Sequence, residues 1–373
     1  MKRSTDHILT SHVGTLPRPE DLQQLLATAE NSQDEYFQRL PQAVIDIVQK
    51  QLEVGLDVIN DGEFGKVGGF AGYVRTRLSG WEQKPLQQAI GREQREQFPR
   101  YSVGRTGGQP AADAVPQRQM VCTGPISYIG QAELDRDISN MRAAVVGQPV
   151  TDVFMAAVSP DNVNYQPGSN EFYPSEEELV LANAAALRHE YKTITDAGYV
   201  LQIDMPVMKY NALSLTVEQF RERFARLIDI LNDALAGIDP DQVRVHVCYG
   251  GMKIAHTGDL MLNQYIDLLF RLNANGISYD QNVRHDHEWT IFKDLKLPDG
   301  KLLMPGVVAH TTDVVEHPEL VAERLVRLAN LVGRENVIAG TDCGLGGRVH
   351  EEIAWAKFAA MAAGARLASE ELF

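Results

Sequence analysis

Short runs of β-branched and apolar residues recur along the chain, over residues 8–14, 56–61, 120–127, 153–160, 199–206, 243–250, 276–280, 303–310 and 336–344, each closing on small or polar residues. Longer stretches with helical spacing of apolar positions separate most of them, over residues 41–53, 175–197, 216–236, 259–273, 318–331 and 351–367. This alternation predicts the α/β class, and within it a (β/α)8 TIM barrel of parallel strands with helices outside. Such a barrel closes with eight strands, so one of the nine runs must lie outside it. The run at 120–127 follows the least regular part of the chain and is assigned there. Ser175 followed by Glu176, Glu177 and Glu178 predicts a capped helix start with acidic residues over the first turn, and Gly198 marks that helix's end.

The irregular stretch, residues 84–118, holds six Lys/Arg against three Asp/Glu, with Gly104, Gly107, Gly108 and Pro110. It is expected as an excursion inserted in the barrel around 84–128, either capping the site or forming a plain surface insertion. No Pro/Gly/Ser linker or internal repeat divides the chain, so residues 1–373 are expected to form a single catalytic barrel.

Composition narrows the partners. With 35 Lys+Arg against 50 Asp+Glu, the formal charge of −15 argues against a nucleic-acid partner, which demands a basic face. The first residues lack the continuous apolar stretch of a signal peptide, and the apolar segment 353–368 is broken by Lys357, Gly364 and Arg366. A cytoplasmic protein without a membrane span is the expectation. Three cysteines are too few for a disulfide framework in 373 residues, which turns attention to thiolate chemistry or metal binding.

His246 and Cys248 lie two apart at the end of a strand-like run, so both side chains point to one face. Cys343 closes another strand run and, in a parallel barrel, reaches the same rim. One imidazole and two thiolates form a donor set suited to zinc, whereas a lone buried cysteine would more often be a small core residue. Asp280, ending the run between them, could be the fourth and most easily displaced ligand or a loop cap; His285 and His287 offer other donors nearby. Glu63 and Asp204 also sit at strand ends, where they could clamp an amino group or shuttle a proton, while Asp61 reads as a turn residue.

SHVGTLPRP at 11–19, LDVINDGE at 56–63, LQIDMP at 201–206, HVCY at 246–249 and GTDCGLGGR at 340–348 together resemble the C-terminal catalytic barrel of cobalamin-independent methionine synthase, in the same order and over nearly the whole chain. The resemblance implies Zn2+ held by His246, Cys248 and Cys343, with the family's glutamate ligand falling near Asp280, one methylene shorter. It implies a thiol amino acid held by Val13, Thr15, Glu63 and Asp204. His310 is similar to the family's histidine near the leaving group. Thr15 stands where the family usually has serine, and Met205 where it commonly has glutamate. The full-length enzyme carries an additional N-terminal barrel, and this chain is similar to the short, single-barrel members, of the methionine synthase and uroporphyrinogen decarboxylase-like type.

The implied partners are a small-molecule thiol, homocysteine first, and a folate-like methyl or alkyl donor. Coordination would release the thiol's proton and keep the sulfur nucleophilic. One alternative is a zinc-dependent transferase opening an epoxide with coenzyme M, whose sulfonate Glu63 and Asp204 would repel. A decarboxylase of the uroporphyrinogen type would leave the His and Cys residues unexplained, and a non-catalytic zinc-binding protein would not need the rim carboxylates.

Overall fold

A computed structural model describes all residues except 28–32, 70–71, 86–117, 164–167, 208–214, 251–255 and 282–283. Its main sheet contains seven parallel strands in the order β1 (Val58–Ile59), β4 (Asp152–Val158), β5 (Val200–Asp204), β6 (Val243–Val247), β7 (Gly276–Tyr279), β8 (Leu302–Val308) and β9 (Gly340–Thr341). Residues 10 and 11 bridge the two edges. Thr10 pairs with Ala339 and Ser11 with Val58, both in parallel, so this short segment takes the place of the eighth strand. Strands β4, β5, β6 and β8 are almost wholly buried, as strands covered on both faces must be, and their continuous apolar runs reflect it. The α/β barrel expected from the alternation is therefore the observed architecture.

β2 (Trp81–Pro85) and β3 (Arg118–Cys122) form a separate antiparallel pair. The run at 120–127 thus lies outside the barrel sheet, and the expected excursion leaves from the end of this ribbon. Residues 86–117, most of that excursion, lie outside the described residues.

The outer helices are α1 (Glu20–Ala27), α2 (Gln33–Glu53), α3 (Val74–Arg77), α4 (Gln131–Val145), α5 (Glu176–Asp196), α6 (Val217–Ala234), α7 (Ile266–Phe270), α8 (Pro318–Val332) and α9 (Glu351–Leu372). Ser175 caps α5 by accepting from Glu178 N, and Thr216 with Gln219 forms a reciprocal capping box on α6. Phe220, Phe224, Leu227, Ile228 and Leu231 make one buried stripe on α6 at helical spacing. α8 and α9 approach closely because Gly364 has no side chain: a Cβ there would meet Val321 Cβ at 2.5 Å.

Four helical stretches differ from expectation. α1 and α4 are helices beyond those the sequence pattern predicts, although Leu134, Ile138 and Met141 of α4 bury one face at spacings of four and three. α2 begins at Gln33 and carries Pro41 inside it, rather than starting at that proline. The helix expected over 259–273 shrinks to a 3-10 turn at Leu262–Gln264 and to α7. There Glu288 Oε1 takes the Leu262 N–H at 2.5 Å, binding the would-be first turn to another segment. Among the described residues no helix is long and apolar enough to cross a membrane.

Candidate metal centre

A polar layer inside the barrel supports the site. Gln202 and Asp204 on β5, and Arg244 and His246 on β6, share the inward phase of their strands, and Asp204 is the register partner of His246. The fully buried Arg244 donates to Gln202 Oε1 at 2.8 Å, Ser11 Oγ at 2.9 Å and the His12 carbonyl at 2.7 Å, with its guanidinium 3.6 Å from the centre of the Phe154 ring. Gln202 in turn donates to the Val13 carbonyl at 2.6 Å and to Asp204 Oδ1 at 2.8 Å. Strand-end groups from three parts of the barrel are thereby held at fixed heights. Neither Gln202 nor Arg244 was singled out in the sequence, although each lies two residues before a candidate site residue on the same strand face.

Above this layer His246, Cys248 and Cys343 converge, with one ligand atom from each within 4.8 Å of the others, all three buried. His246 Nδ1 meets Ser278 Oγ at 3.3 Å, while its Nε2 is buried without a hydrogen-bond partner among the described residues. A buried ring nitrogen left open beside two thiols is what a metal would satisfy, and the donor set suits zinc. Cys343 is held well below the ordinary thiol range, mainly by hydrogen bonding from Cys248 against the effect of burial, with Arg348 and His246 adding to it. Cys248 is pushed up by the same contact and by burial. Cys122, on β3, is buried away from this group.

Asp280 follows β7 and is buried, but it is not one of the three residues whose ligand atoms converge. Its carboxyl hydrogen-bonds with Asp342, whose pKa burial and the Asp280 charge push well up; Asp342 Oδ1 also accepts from Gln281 N at 2.7 Å. The other donors weighed for this position face elsewhere. His285 sits between Glu288 Oε2 at 2.9 Å and Asp259 Oδ2 at 3.3 Å, and His287 is exposed. His310, at the end of the β8 run, is buried, and both its ring nitrogens lack a well-formed hydrogen bond among the described residues. Burial lowers its pKa, partly offset by Cys343 and Asp280.

The donors open onto a cavity of about 80 Å³ whose wall also includes Val13, Thr15, Glu63, Asp204 and Arg348. Glu63 stands at φ 59°, a left-handed conformation that is unusual for a side chain of this size and often found at functional sites. Asp61 supports that turn by accepting from Glu63 N at 2.9 Å, and Thr15 Oγ1 donates to Glu63 Oε2 at 2.9 Å. Gly14 must be glycine, since its φ is +132° and a Cβ would lie 2.0 Å from Glu63 Oε1. Burial and the Glu63 charge raise Asp204 to about 7, against the pull of His246 and Lys66. Two buried carboxylates thus line the same cavity as the sulfur and nitrogen donors, and a cation between the carboxylates would relieve their repulsion. The structure brings every expected site residue except Asp280 and His310 onto the cavity wall or into the donor group.

Comparison with known proteins follows the same lines. The protein is similar to a methionine synthase of Sulfolobus acidocaldarius, 24% identical over 97% of this chain and 93% of that protein. It is also 26% identical to the 5-methyltetrahydropteroyltriglutamate–homocysteine methyltransferase of Thermosynechococcus vestitus, over 92% of this chain but only 41% of the relative's length. In fold it resembles a B12-independent methionine synthase from Shewanella sp. W3-18-1 solved with selenomethionine, at a TM-score of 0.76 and 21% identity over 98% of this chain and 99% of that one. The model of the cobalamin-independent synthase catalytic domain matches residues 171–366, more than half of the chain and the part that carries His246, Cys248 and Cys343, so the protein belongs to the cobalamin-independent synthase family.

Proposed function

We propose that the protein is a zinc-dependent methyltransferase that moves a methyl group from a methyltetrahydrofolate-like donor to the thiol of homocysteine, giving methionine, with residues 1–373 acting as one catalytic barrel in the cytoplasm. The observation that carries this reading is the meeting, in one cavity, of a His/Cys/Cys donor set and two buried carboxylates. Names given to relatives, methionine synthase and homocysteine methyltransferase, agree with it.

His246, Cys248 and Cys343 would hold the zinc, and Asp280, turning from Asp342, is the proposed fourth and displaceable ligand. Zinc bound there would supply Lewis acidity, lowering the pKa of the substrate thiol so that sulfur reacts as a thiolate at neutral pH. The chain's own residues do the rest. Glu63 and Asp204 take the ammonium group of the thiol amino acid, and Val13 and Thr15 line the cavity beside it, so the sulfur is held toward His246, Cys248 and Cys343. The departing nitrogen of a tertiary amine must gain a proton; His310, whose low proton affinity makes it a strong acid once protonated, is proposed to provide it. A thiol carrying a sulfonate instead of an ammonium would face Glu63 and Asp204 with like charge.

Metal analysis and a thiol panel test the reading. Wild type is expected to bind about one zinc per chain, to release protons on adding homocysteine, and to form methionine from a methyltetrahydrofolate donor. Cys248→Ser and Cys343→Ser should each lose most of the zinc. Full occupancy in both variants, or a preference for thiols without an amino group, would overturn it.

A further inference from the structure

Arg348 lies beyond the Cys343 turn and is not used by the reading above. Its loop is anchored to the first strand segment, since Gly346 N donates to the Thr15 carbonyl at 2.9 Å. The side chain reaches the wall of the cavity that holds Glu63, Asp204, Cys248 and Cys343. Its Nη1 is buried and has no hydrogen-bond partner among the described residues. Buried guanidinium nitrogens are normally paired, so an unpaired one on a residue of the cavity wall marks a place for an acceptor from outside the chain.

The polar groups around it narrow the choice of acceptor. Glu63 already accepts from Thr15 at 2.9 Å, with Lys66 Nζ 4.0 Å away, and Asp204 accepts from Gln202 at 2.8 Å. The Thr15 hydroxyl gives its proton to Glu63 and has none left for an incoming anion. The cavity therefore has an acidic side suited to a cation, and one open cationic group.

We propose that Arg348 binds the α-carboxylate of the thiol substrate, so that the cavity reads both charged ends of an amino acid. This rests on the proposed thiol-amino-acid acceptor and makes Arg348 its specificity residue. A planar fork of N–H donors matches a carboxylate and distinguishes an amino acid from a simple aminothiol.

Calorimetric binding of homocysteine and of its decarboxylated analogue, 3-aminopropanethiol, to zinc-loaded wild type, Arg348→Gln and Arg348→Lys separates the possibilities, with zinc content measured on each sample. Wild type should prefer homocysteine. Arg348→Gln should lose affinity for homocysteine by roughly ten- to a hundredfold, bind the analogue as wild type does and keep its zinc; Arg348→Lys should recover part of the loss. Equal weakening of both thiols, or loss of zinc, would mean that Arg348 serves Cys343 rather than the substrate, and the proposal falls while the acceptor assignment stands. An unchanged affinity for homocysteine overturns it in the same way. Failure of wild type to bind either aminothiol would remove the acceptor assignment itself and this proposal with it.

Discussion

Asp204 shows how one side chain draws its properties from three directions. Its strand position aims it into the barrel, Gln202 fixes one oxygen, and burial beside Glu63 lifts its pKa to about 7. A carboxyl so placed is stabilised as an anion when an ammonium group enters, because the cation removes the repulsion that raised it. Asp204→Asn keeps the shape and deletes that charge. Homocysteine affinity measured by calorimetry should fall by roughly ten- to a hundredfold, with zinc content unchanged; binding as tight as wild type would sink the clamp.

At the scale of elements, the expected helix that stopped short is tied through Asp259 to a charge network on the segment that follows β7. His285 stacks on Tyr249, the residue after Cys248, with ring centres 4.0 Å apart, and its two nitrogens meet Glu288 and Asp259. Burial opposes a charge on His285, but the two carboxylates outweigh it and hold the pKa at about 9, above the ordinary histidine value of 6.5. The sign is that of a raised base: the stabilisation is fully present below about pH 6.5 and is lost as pH rises through about 9. Urea unfolding across this window should show stability falling with pH, by at most about 1.4 kcal/mol per pH unit from this group. His285→Gln should be less stable at pH 6 and lack this part of the slope. A variant that keeps the wild-type pH profile would show that the network does not hold the charge.

For the whole molecule, closure of the barrel depends on a charged residue in its interior. Arg244 ties residues 11 and 12 to β5 and β6, and its removal leaves a buried carbonyl, a hydroxyl and an amide short of donors. Arg244→Ala is expected to lower unfolding free energy by about 3–5 kcal/mol and, by loosening Gln202, to weaken thiol binding as well. A denaturation midpoint within error of wild type would mean that closure rests on apolar packing alone.

Much of this was legible from the chain, because local rules decide it. Period-two placement was enough to bring His246 and Cys248 to one face, βα alternation to bring Cys343 to the same rim, and the irregular stretch before residue 120 to set the third run outside the barrel. Ser175 and Gly198 marked their helix ends through short-range hydrogen bonding and backbone freedom. What depends on distant residues could not be read in the same way. Glu288 reaching Leu262 cut short an expected helix, Asp342 drew Asp280 into a carboxyl pair, and Arg244 joined segments more than 200 positions apart. Arg348 became a cavity residue only when its loop docked on Thr15. Periodicity and spacing follow from bonded geometry and so travel with the sequence, whereas the partner of a buried polar group is set by which elements meet in space, and that the tertiary structure alone decided.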